Sequence, residues 1–298
     1  MSLVINHNMM AMNAARNLSQ SYGNLSVSTR RLSSGLRVGT AADDAAGLAI
    51  RELMRADIAS LNQGMRNAND AISMIQTADG ALQVIDEKLI RMKELAEQAA
   101  TGTYTSDQRL IIDSEYQAMA SEITRIANAT DFNGIYLLNG NLSSDDFTGS
   151  GLQSSGKLKV HFGAGNDSAE DYYYIQIGNS TASALGVGNQ SDPALGGGYS
   201  ISTQEAAQSA LDAINNAIVS KDKIRASLGA LQNRLENTIT NLSIQAENLQ
   251  AAESRISDVD VAQEMTEFVR NQILTQSAVA MLAQANQLPQ MAMQLMQG

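Results

Sequence analysis

The longest helical pattern in the chain, between residues about 41 and 100, limits the folds that the chain can adopt. Along this stretch, apolar residues recur every three or four positions, as on one face of a helix. They are Leu61, Met65, Ala68, Ile72, Ile75, Leu82, Ile85, Leu89, Met92, Ala96 and Ala99. At about 1.5 Å per residue, such a helix would be roughly 90 Å long. Because a solitary helix of this kind is unstable in water, the pattern predicts rod-like helices that pack together.

Similar spacing occurs near both chain ends. At residues 18–36 it alternates four and three positions, which is typical of a coiled-coil seam. We predict that the terminal segments pack through Leu18, Tyr22, Leu25, Leu32 and Leu36 on one side and Met265, Phe268 and Ile273 on the other. Thr29 completes the spacing on the first segment. Residues 204–255 also show the helical pattern, and the chain contains only two prolines and 4% aromatic residues. The composition therefore suits a mainly α fold built from long antiparallel, coiled-coil-like rods.

The middle of the chain, residues 141–203, is different. It is rich in glycine, serine, asparagine and aspartate, which favour turns. Just before it, Asn133–Gly134 in "TDFNGIYLLNG" is typical of a tight β-hairpin. Within it, "KLKVHF" alternates apolar and polar residues and "DYYYIQIG" is a second strand candidate. We therefore predict a small insert containing β-hairpins.

Two joints interrupt the helical pattern. Gly35 and Gly39 can adopt backbone conformations that stop a helix, and the spacing of Thr40 and Asp43 matches a capping box. Ser257 and Asp260 repeat this spacing near the other end of the chain. The adjacent pair Asp43–Asp44 indicates a helix start rather than a catalytic pair, because neighbouring residues point about 100° apart on a helix.

The two joints divide the chain into segments of matched length. Residues 1–42 contain four arginines and no acid, whereas residues 256–298 contain four acids and one arginine. Opposite charge favours antiparallel pairing of these two arms, although exposed ion pairs stabilise little. We predict an N-terminal arm (1–42), helices and a hairpin (43–140), the insert (141–203), a returning helix (204–255) and a C-terminal arm (256–298).

Several classes of function are disfavoured by the composition. The net charge of −11 argues against nucleic-acid binding, and the absence of cysteine excludes thiolate chemistry and disulfides. The chain has no phosphate-binding, zinc-protease or nucleophile-elbow motif, and its two histidines, His7 and His161, have no second ligand nearby in sequence. Residues 271–298 carry no charge, but glutamine and asparagine interrupt them too often for a membrane span. We expect no enzyme activity, cofactor, metal or membrane insertion.

Four motifs in series resemble bacterial flagellin, the filament protein of the flagellum. They are "RLSSGLRVGTAADDAAGLAI", "RNANDAISMIQTADGALQVI", "ATDFNGIYLLNG" and "LAQANQLPQMAMQLMQ". The resemblance covers residues 1–140 and 204–298, with a short variable centre. It implies a subunit that polymerises with itself into a helical filament, the arms forming an inner tube and residues 43–255 an outer tube. It also implies that the arms are disordered in the free monomer and fold on assembly.

Further partners are implied by this resemblance alone. They are the flagellar export apparatus and a secretion chaperone, the filament cap and hook-junction proteins, and Toll-like receptor five of animal hosts. Export by this route would leave the protein extracellular without a cleaved signal peptide. The receptor surface of the family corresponds here to Arg91, Leu95 and Glu115. Alternative functions are a hook–filament junction protein, a surface adhesin and, least favoured, an enzyme carried in the insert.

Overall fold

A computed structural model describes residues 8–144, 156–168, 170–187 and 200–297. Five helices account for most of these residues, which confirms the mainly α class. The helices are α1 (Met9–Ser34), α2 (Ala45–Ala100), α3 (Ser106–Ala129), α4 (Gln204–Ser257) and α5 (Val261–Gln297). Four short strands lie between α3 and α4: β1 (Asp131–Phe132), β2 (Ile135–Tyr136), β3 (Leu158–His161) and β4 (Tyr172–Ile175).

The strands form two antiparallel hairpins. β1 pairs with β2 across Asn133 and Gly134, which both adopt positive φ angles, of 51° and 80°. This is the geometry that the Asn-Gly pair predicts for a two-residue hairpin turn. β3 pairs with β4 so that Val160 lies opposite Tyr173. Val160 and Phe162 are buried, which confirms the apolar face predicted from "KLKVHF".

The chain divides into two compact units, of which the larger contains residues 59–246. Its core is a continuous apolar cluster contributed by α2, α3, α4 and the strands. Within this unit, α2 and α4 run antiparallel, because Asp79 pairs with Arg225 and Asp86, further along α2, pairs with the earlier Lys221. The Lys221 side chain is almost fully buried, and its ammonium also pairs with Asp222 at 2.8 Å. A buried ammonium requires such carboxylate partners, since an unpaired charge is strongly destabilising there.

The insert is attached to α2 at a glycine. A Cβ added to Gly64 would lie 1.9 Å from the backbone oxygen of Phe162, so only glycine allows this approach. One turn further, the Asn67 side-chain amide donates to the backbone oxygen of His161 at 2.8 Å. These contacts fix the end of β3 against the helix.

The smaller unit contains residues 1–58 and 247–298. Here α1 packs along α5 in antiparallel orientation. At one end, the Asn8 amide donates to the backbone oxygen of Ala285 at 2.7 Å, and at the other Leu36 lies opposite Asp258. None of the helices in the described part of the chain is long and apolar enough to cross a membrane.

Replacing Gly64 by alanine should destabilise the larger unit by about 1–3 kcal/mol, because the added methyl group forces β3 away from α2. Gly80→Ala is the matched control, since nothing lies within 4 Å of a Cβ at that helical position. It should stabilise the protein by about 0.5–1 kcal/mol through helix propensity. Urea unfolding of both variants measures the difference. Equal effects of the two substitutions would contradict the close contact at Gly64.

Candidate interaction surface on the paired terminal helices

The contact between α1 and α5 follows a strict seven-residue repeat. On both helices, a row of less exposed residues is separated alternately by three and four positions, as in a coiled coil, and Val27, Arg31 and Glu267 are partly buried beside these rows. On α1 they are Ala11, Ala14, Leu18, Ser21, Leu25, Ser28 and Leu32. On α5 they are Glu264, Phe268, Asn271, Thr275, Ala278, Leu282 and Ala285. We call these two rows the seam.

Small and polar side chains dominate the most enclosed part of the seam. Ser28, Asn271 and Thr275 are only 4%, 8% and 7% exposed. The Thr275 hydroxyl donates to the Asn271 backbone oxygen at 2.7 Å, so it is satisfied within its own helix. A seam of this composition buries little apolar surface and therefore stabilises the pair only weakly.

Three of the residues predicted to pack the arms do not lie on the seam of the single chain. Leu18, Leu25, Leu32, Leu36 and Phe268 are partly buried, whereas Tyr22, Met265 and Ile273 are 54%, 44% and 57% exposed. The seven-residue spacing through Leu18, Leu25 and Leu32 is compatible with either Ser21 and Ser28 or Tyr22 and Thr29 as the intervening row. The helices pack through the two serines, because their small side chains allow close approach.

Large apolar side chains are exposed on both helices, mostly on α5. On α1 the exposed ones are Met9, Met10, Met12 and Tyr22, and on α5 they are Val261, Met265, Val269, Ile273, Leu274, Val279, Met281 and Met291. The first four on α5 follow each other at four-residue intervals and form a stripe. We call the exposed residues of α1 and α5 together the outer apolar surface. Many large apolar side chains exposed on one pair of helices are typical of a protein–protein interaction site.

The two joints are bonded to each other through their backbones. The Arg37 N–H donates to the Ser257 oxygen at 2.7 Å, and the Val259 N–H donates to the Gly35 oxygen at 3.0 Å. The Arg37 guanidinium adds a hydrogen bond of 2.7 Å to the Ile256 oxygen. The end of α1 and the turn between α4 and α5 are therefore held together as a miniature antiparallel ladder.

Gly35 ends α1 as the sequence predicts. Its φ angle is 72°, in the left-handed region, and its N–H donates to the Arg31 oxygen at 2.8 Å. A residue with a side chain is strained in this conformation. Gly39 does not have a positive φ angle, so it does not act as a second left-handed stop.

Both predicted capping boxes need correction. α2 begins at Ala45, and Asp44 accepts from the Gly47 N–H at 2.9 Å, so Asp44 is the residue that caps the helix. Thr40 and Asp43 bond to each other ahead of it, with the Thr40 hydroxyl and N–H both donating to the Asp43 carboxylate. Asp43 and Asp44 are adjacent, and it is Asp44 that lies within hydrogen-bonding distance of a free N–H group at the start of α2.

At the second joint, Asp260 caps α5 by accepting from the N–H groups of Ala262 and Gln263 at 2.9 and 3.2 Å. Ser257 is not part of this cap, because it is the last residue of α4. Its side chain is fully buried and its hydroxyl has no hydrogen-bond partner among the described residues.

Charges gather around the first joint. Asp43 pairs with Arg30 at 2.7 Å, and Arg31 lies 3.6 Å from Glu264 on the opposite helix. The hydrogen bond from the Thr40 side chain, followed by those from its backbone and the nearby arginines, lowers the pKa of Asp43 below 3.8 despite the opposing effect of burial. This ionised carboxylate links the turn of residues 40–43 to α1.

The residues predicted for receptor binding divide between surface and core. The Arg91 guanidinium donates to Glu115 on α3 at 2.8 and 3.0 Å and to Glu94 at 2.9 Å, and all three side chains are exposed. These bonds, first those to Glu115, raise the pKa of Arg91. Leu95 differs from the expectation, because it is 1% exposed and packs in the core. Its side chain supports the helix beneath Arg91 rather than forming part of the surface.

No group of three histidine, aspartate or glutamate side chains within residues 8–144, 156–168, 170–187 and 200–297 is arranged to bind a metal ion. The site is a surface suited to contact with other polypeptides: it has an outer apolar surface on two helices, a seam between them with polar residues at its most enclosed positions, and a backbone ladder at their common end. This arrangement is typical of a structural subunit that associates with other polypeptides.

Comparison with known proteins identifies the family. The family model of the bacterial flagellin N-terminal helical region matches residues 5–143, and that of the C-terminal helical region matches residues 211–296. The flagellar filament 33 kDa core protein of Treponema phagedenis is 43% identical over 294 residues, which cover 99% of this chain and 100% of that protein. A flagellin of Halalkalibacterium halodurans is 42% identical with the same coverage. The chain belongs to the bacterial flagellin family, and it is a structural subunit of the flagellar filament.

A solved structure shares the fold. The putative flagellar hook-associated protein from Vibrio parahaemolyticus aligns with a TM-score of 0.54 at 15% identity, over 72% of this chain and 100% of that chain. At this identity the likeness extends to the architecture only. The nearly full-length similarity to filament proteins therefore decides between a filament subunit and a junction protein.

Acidification should release the turn around Asp43. Because the pKa of Asp43 is lower in the folded chain than in the unfolded one, its carboxylate stabilises the fold above pH 3.8 and loses this effect as the pH falls through the lowered value. Thr40→Val removes the hydroxyl donor, so Asp43 should titrate at a higher pH in this variant. Carboxyl-carbon NMR titration measures both values, and an unchanged Asp43 pKa would contradict the proposed cause.

Proposed function

We propose that the outer apolar surface of α1 and α5 is the principal contact between copies of the chain in the filament. The observation that carries this proposal is the inverted distribution on these helices, with Ser28, Asn271 and Thr275 enclosed and large apolar residues exposed. Exposure of so much apolar surface costs free energy in water, which association with further copies recovers. The family assembles into filaments, and a head-to-tail contact that does not close into a ring yields a helical polymer.

The weak seam supports coupling of folding to assembly. An arm pair whose enclosed positions are largely serine, asparagine, threonine and alanine gains little from pairing alone, so neighbouring copies must supply most of its stability. In this proposal residues 1–42 and 256–298 form an inner tube and residues 43–255 an outer one. The ladder between residues 35–37 and 257–259 joins the two arms within each subunit.

A charge placed on the exposed stripe should block polymerisation. Ile273→Glu puts a carboxylate on the outer apolar surface without touching the seam, so it should raise the critical concentration for filament growth at least about tenfold. Gln272→Glu is the matched control, because it adds the same charge at the preceding, exposed polar position. Sedimentation and electron microscopy of the purified proteins measure assembly. Normal filaments from Ile273→Glu would overturn the proposed contact.

Several partners follow from the family and extend this proposal. The N-terminal arm acts as the export signal for the flagellar secretion apparatus, and a secretion chaperone holds the protein before export. The cap and hook-junction proteins contact the two ends of the growing filament. The subunit is then extracellular and has no catalytic role. These proposals are supported by the full-length likeness to filament proteins and by the weakly stabilised arms.

We also propose that Arg91 and Glu115 form part of a surface recognised by Toll-like receptor five. The support is their exposed ion pair, which bridges α2 and α3 and presents a guanidinium at fixed geometry. Arginine is enriched among the residues that dominate binding energy at interfaces. Leu95 contributes by packing beneath this pair, since its side chain is buried.

Arg91→Ala should weaken receptor signalling by monomeric protein at least about tenfold while filaments still form. Arg125→Ala is the matched control, because Arg125 makes an exposed pair with Glu122 elsewhere on α3. A receptor-driven reporter assay in cultured cells, paired with electron microscopy, measures both properties. Equal signalling by the Arg91→Ala and wild-type proteins would remove this claim.

A further inference from the structure

The outward face of the β3–β4 hairpin carries an unusual concentration of aromatic residues. Alternation along the two strands places Lys159 and His161 on the same face as Tyr172 and Tyr174. The opposite face, with Val160 and Ile175, is buried in the core. The whole chain has only eight tyrosines and two histidines, so three of these ten residues share one four-residue face. We call these four residues the tyrosine–lysine platform.

The rings of the platform contact each other in a fixed arrangement. His161 stacks on Tyr172 with centroids 6.0 Å apart, and Tyr172 meets Tyr174 edge-on at 5.4 Å. The Lys159 ammonium lies 3.6 Å from the centre of the Tyr172 ring. The His161–Tyr172 contact joins the two strands and stabilises the hairpin. These contacts also hold the rings in a rigid row that needs no rearrangement to bind a ligand.

The platform carries the positive charge of Lys159. Among the described residues, no carboxylate lies within ion-pair distance of Lys159, although the chain has a net charge of −11. The nearest acid along the strand, Asp171, uses its carboxylate within its own loop, where it accepts N–H groups of Gly165 and Asp167. The cation is therefore held by a ring and remains available to an anion.

We propose that the tyrosine–lysine platform binds an acidic oligosaccharide, such as a chain of uronic acids. The C–H faces of sugar rings pack against the Tyr174 ring, which is 40% exposed, and the partly exposed rings of Tyr172 and His161, and the tyrosine hydroxyls supply hydrogen-bonding groups at the ring edges. A carboxylate on the same sugar forms a charge-assisted hydrogen bond with Lys159. This activity is independent of polymerisation, while a filament that repeats the platform would multiply a weak single-site affinity.

The test measures binding by the full-length monomer, so failure of filament assembly does not affect it. The probe is trigalacturonate, titrated by calorimetry and by ligand-observed NMR at low and high salt. Cellotriose, a neutral trisaccharide, tests the requirement for the carboxylate, and triglutamate tests whether an acidic peptide suffices. The expected result is salt-sensitive binding of trigalacturonate, with cellotriose at least about tenfold weaker and triglutamate not bound.

Two substitutions address the platform itself. Lys159→Gln removes the charge and leaves the rings, and Tyr174→Thr removes one ring and keeps a residue that favours strands. Each should weaken trigalacturonate binding about tenfold, and urea unfolding checks that each variant stays folded despite the lost ring or cation contact. Tyr136→Thr is the matched control, because Tyr136 and Tyr174 are both 40% exposed on strands. Lys223→Gln controls for the loss of one exposed lysine.

Each other outcome overturns the proposal. Absence of trigalacturonate binding would remove the site, and equal binding of triglutamate would assign the platform to acidic peptides. Binding that Lys159→Gln and Tyr174→Thr leave unchanged would place the oligosaccharide elsewhere on the chain.

Discussion

The weak seam between α1 and α5 is the constraint on which the rest of the molecule depends. Paired helices ordinarily bury their largest apolar residues against each other, which makes the pair stable alone. Here the most enclosed positions include Ser28, Asn271 and Thr275, and many of the large apolar residues lie outside the seam. The pair is consequently defined in register by its seven-residue repeat but depends for stability on surfaces that only other polypeptides can cover.

The backbone ladder at the joints complements this weak seam. Backbone hydrogen bonds from Arg37 and Val259 hold one end of the N-terminal arm against the C-terminal arm. This connection does not depend on the stability that the side chains of the seam provide. Gly35 is required there because its left-handed conformation turns the chain out of α1 in time to form the ladder. Polar groups of the backbone are thus satisfied at a point where two helices would otherwise end with free N–H and C=O groups.

Sequence periodicity predicted the long helices, the hairpin turn at Asn133–Gly134 and the pairing of the arms, because each depends on local spacing or composition. Periodicity did not predict which residues pack beside Leu18, Leu25 and Leu32 on α1. Ser21 and Tyr22 both fit the seven-residue period, and the apolar character of Tyr22 favoured it, whereas Ser21 lies on the seam. That choice depends on how closely two helices approach. The role of Gly64 also had no local signal, because its neighbour Phe162 lies in a distant segment.

The two compact units share the helical pattern but differ in where their apolar residues lie. In residues 59–246 a continuous apolar cluster is buried between the helices and the strands, and even the buried Lys221 has carboxylate partners, so this unit has a core of its own in a single chain. In the unit formed by the chain ends, many large apolar side chains remain exposed. A polymer subunit needs both properties, because it must remain folded before assembly and still gain free energy from each contact that assembly adds. Because the folded core and the assembly surface lie in separate parts of the chain, substitutions on the assembly surface can change polymerisation without unfolding the core.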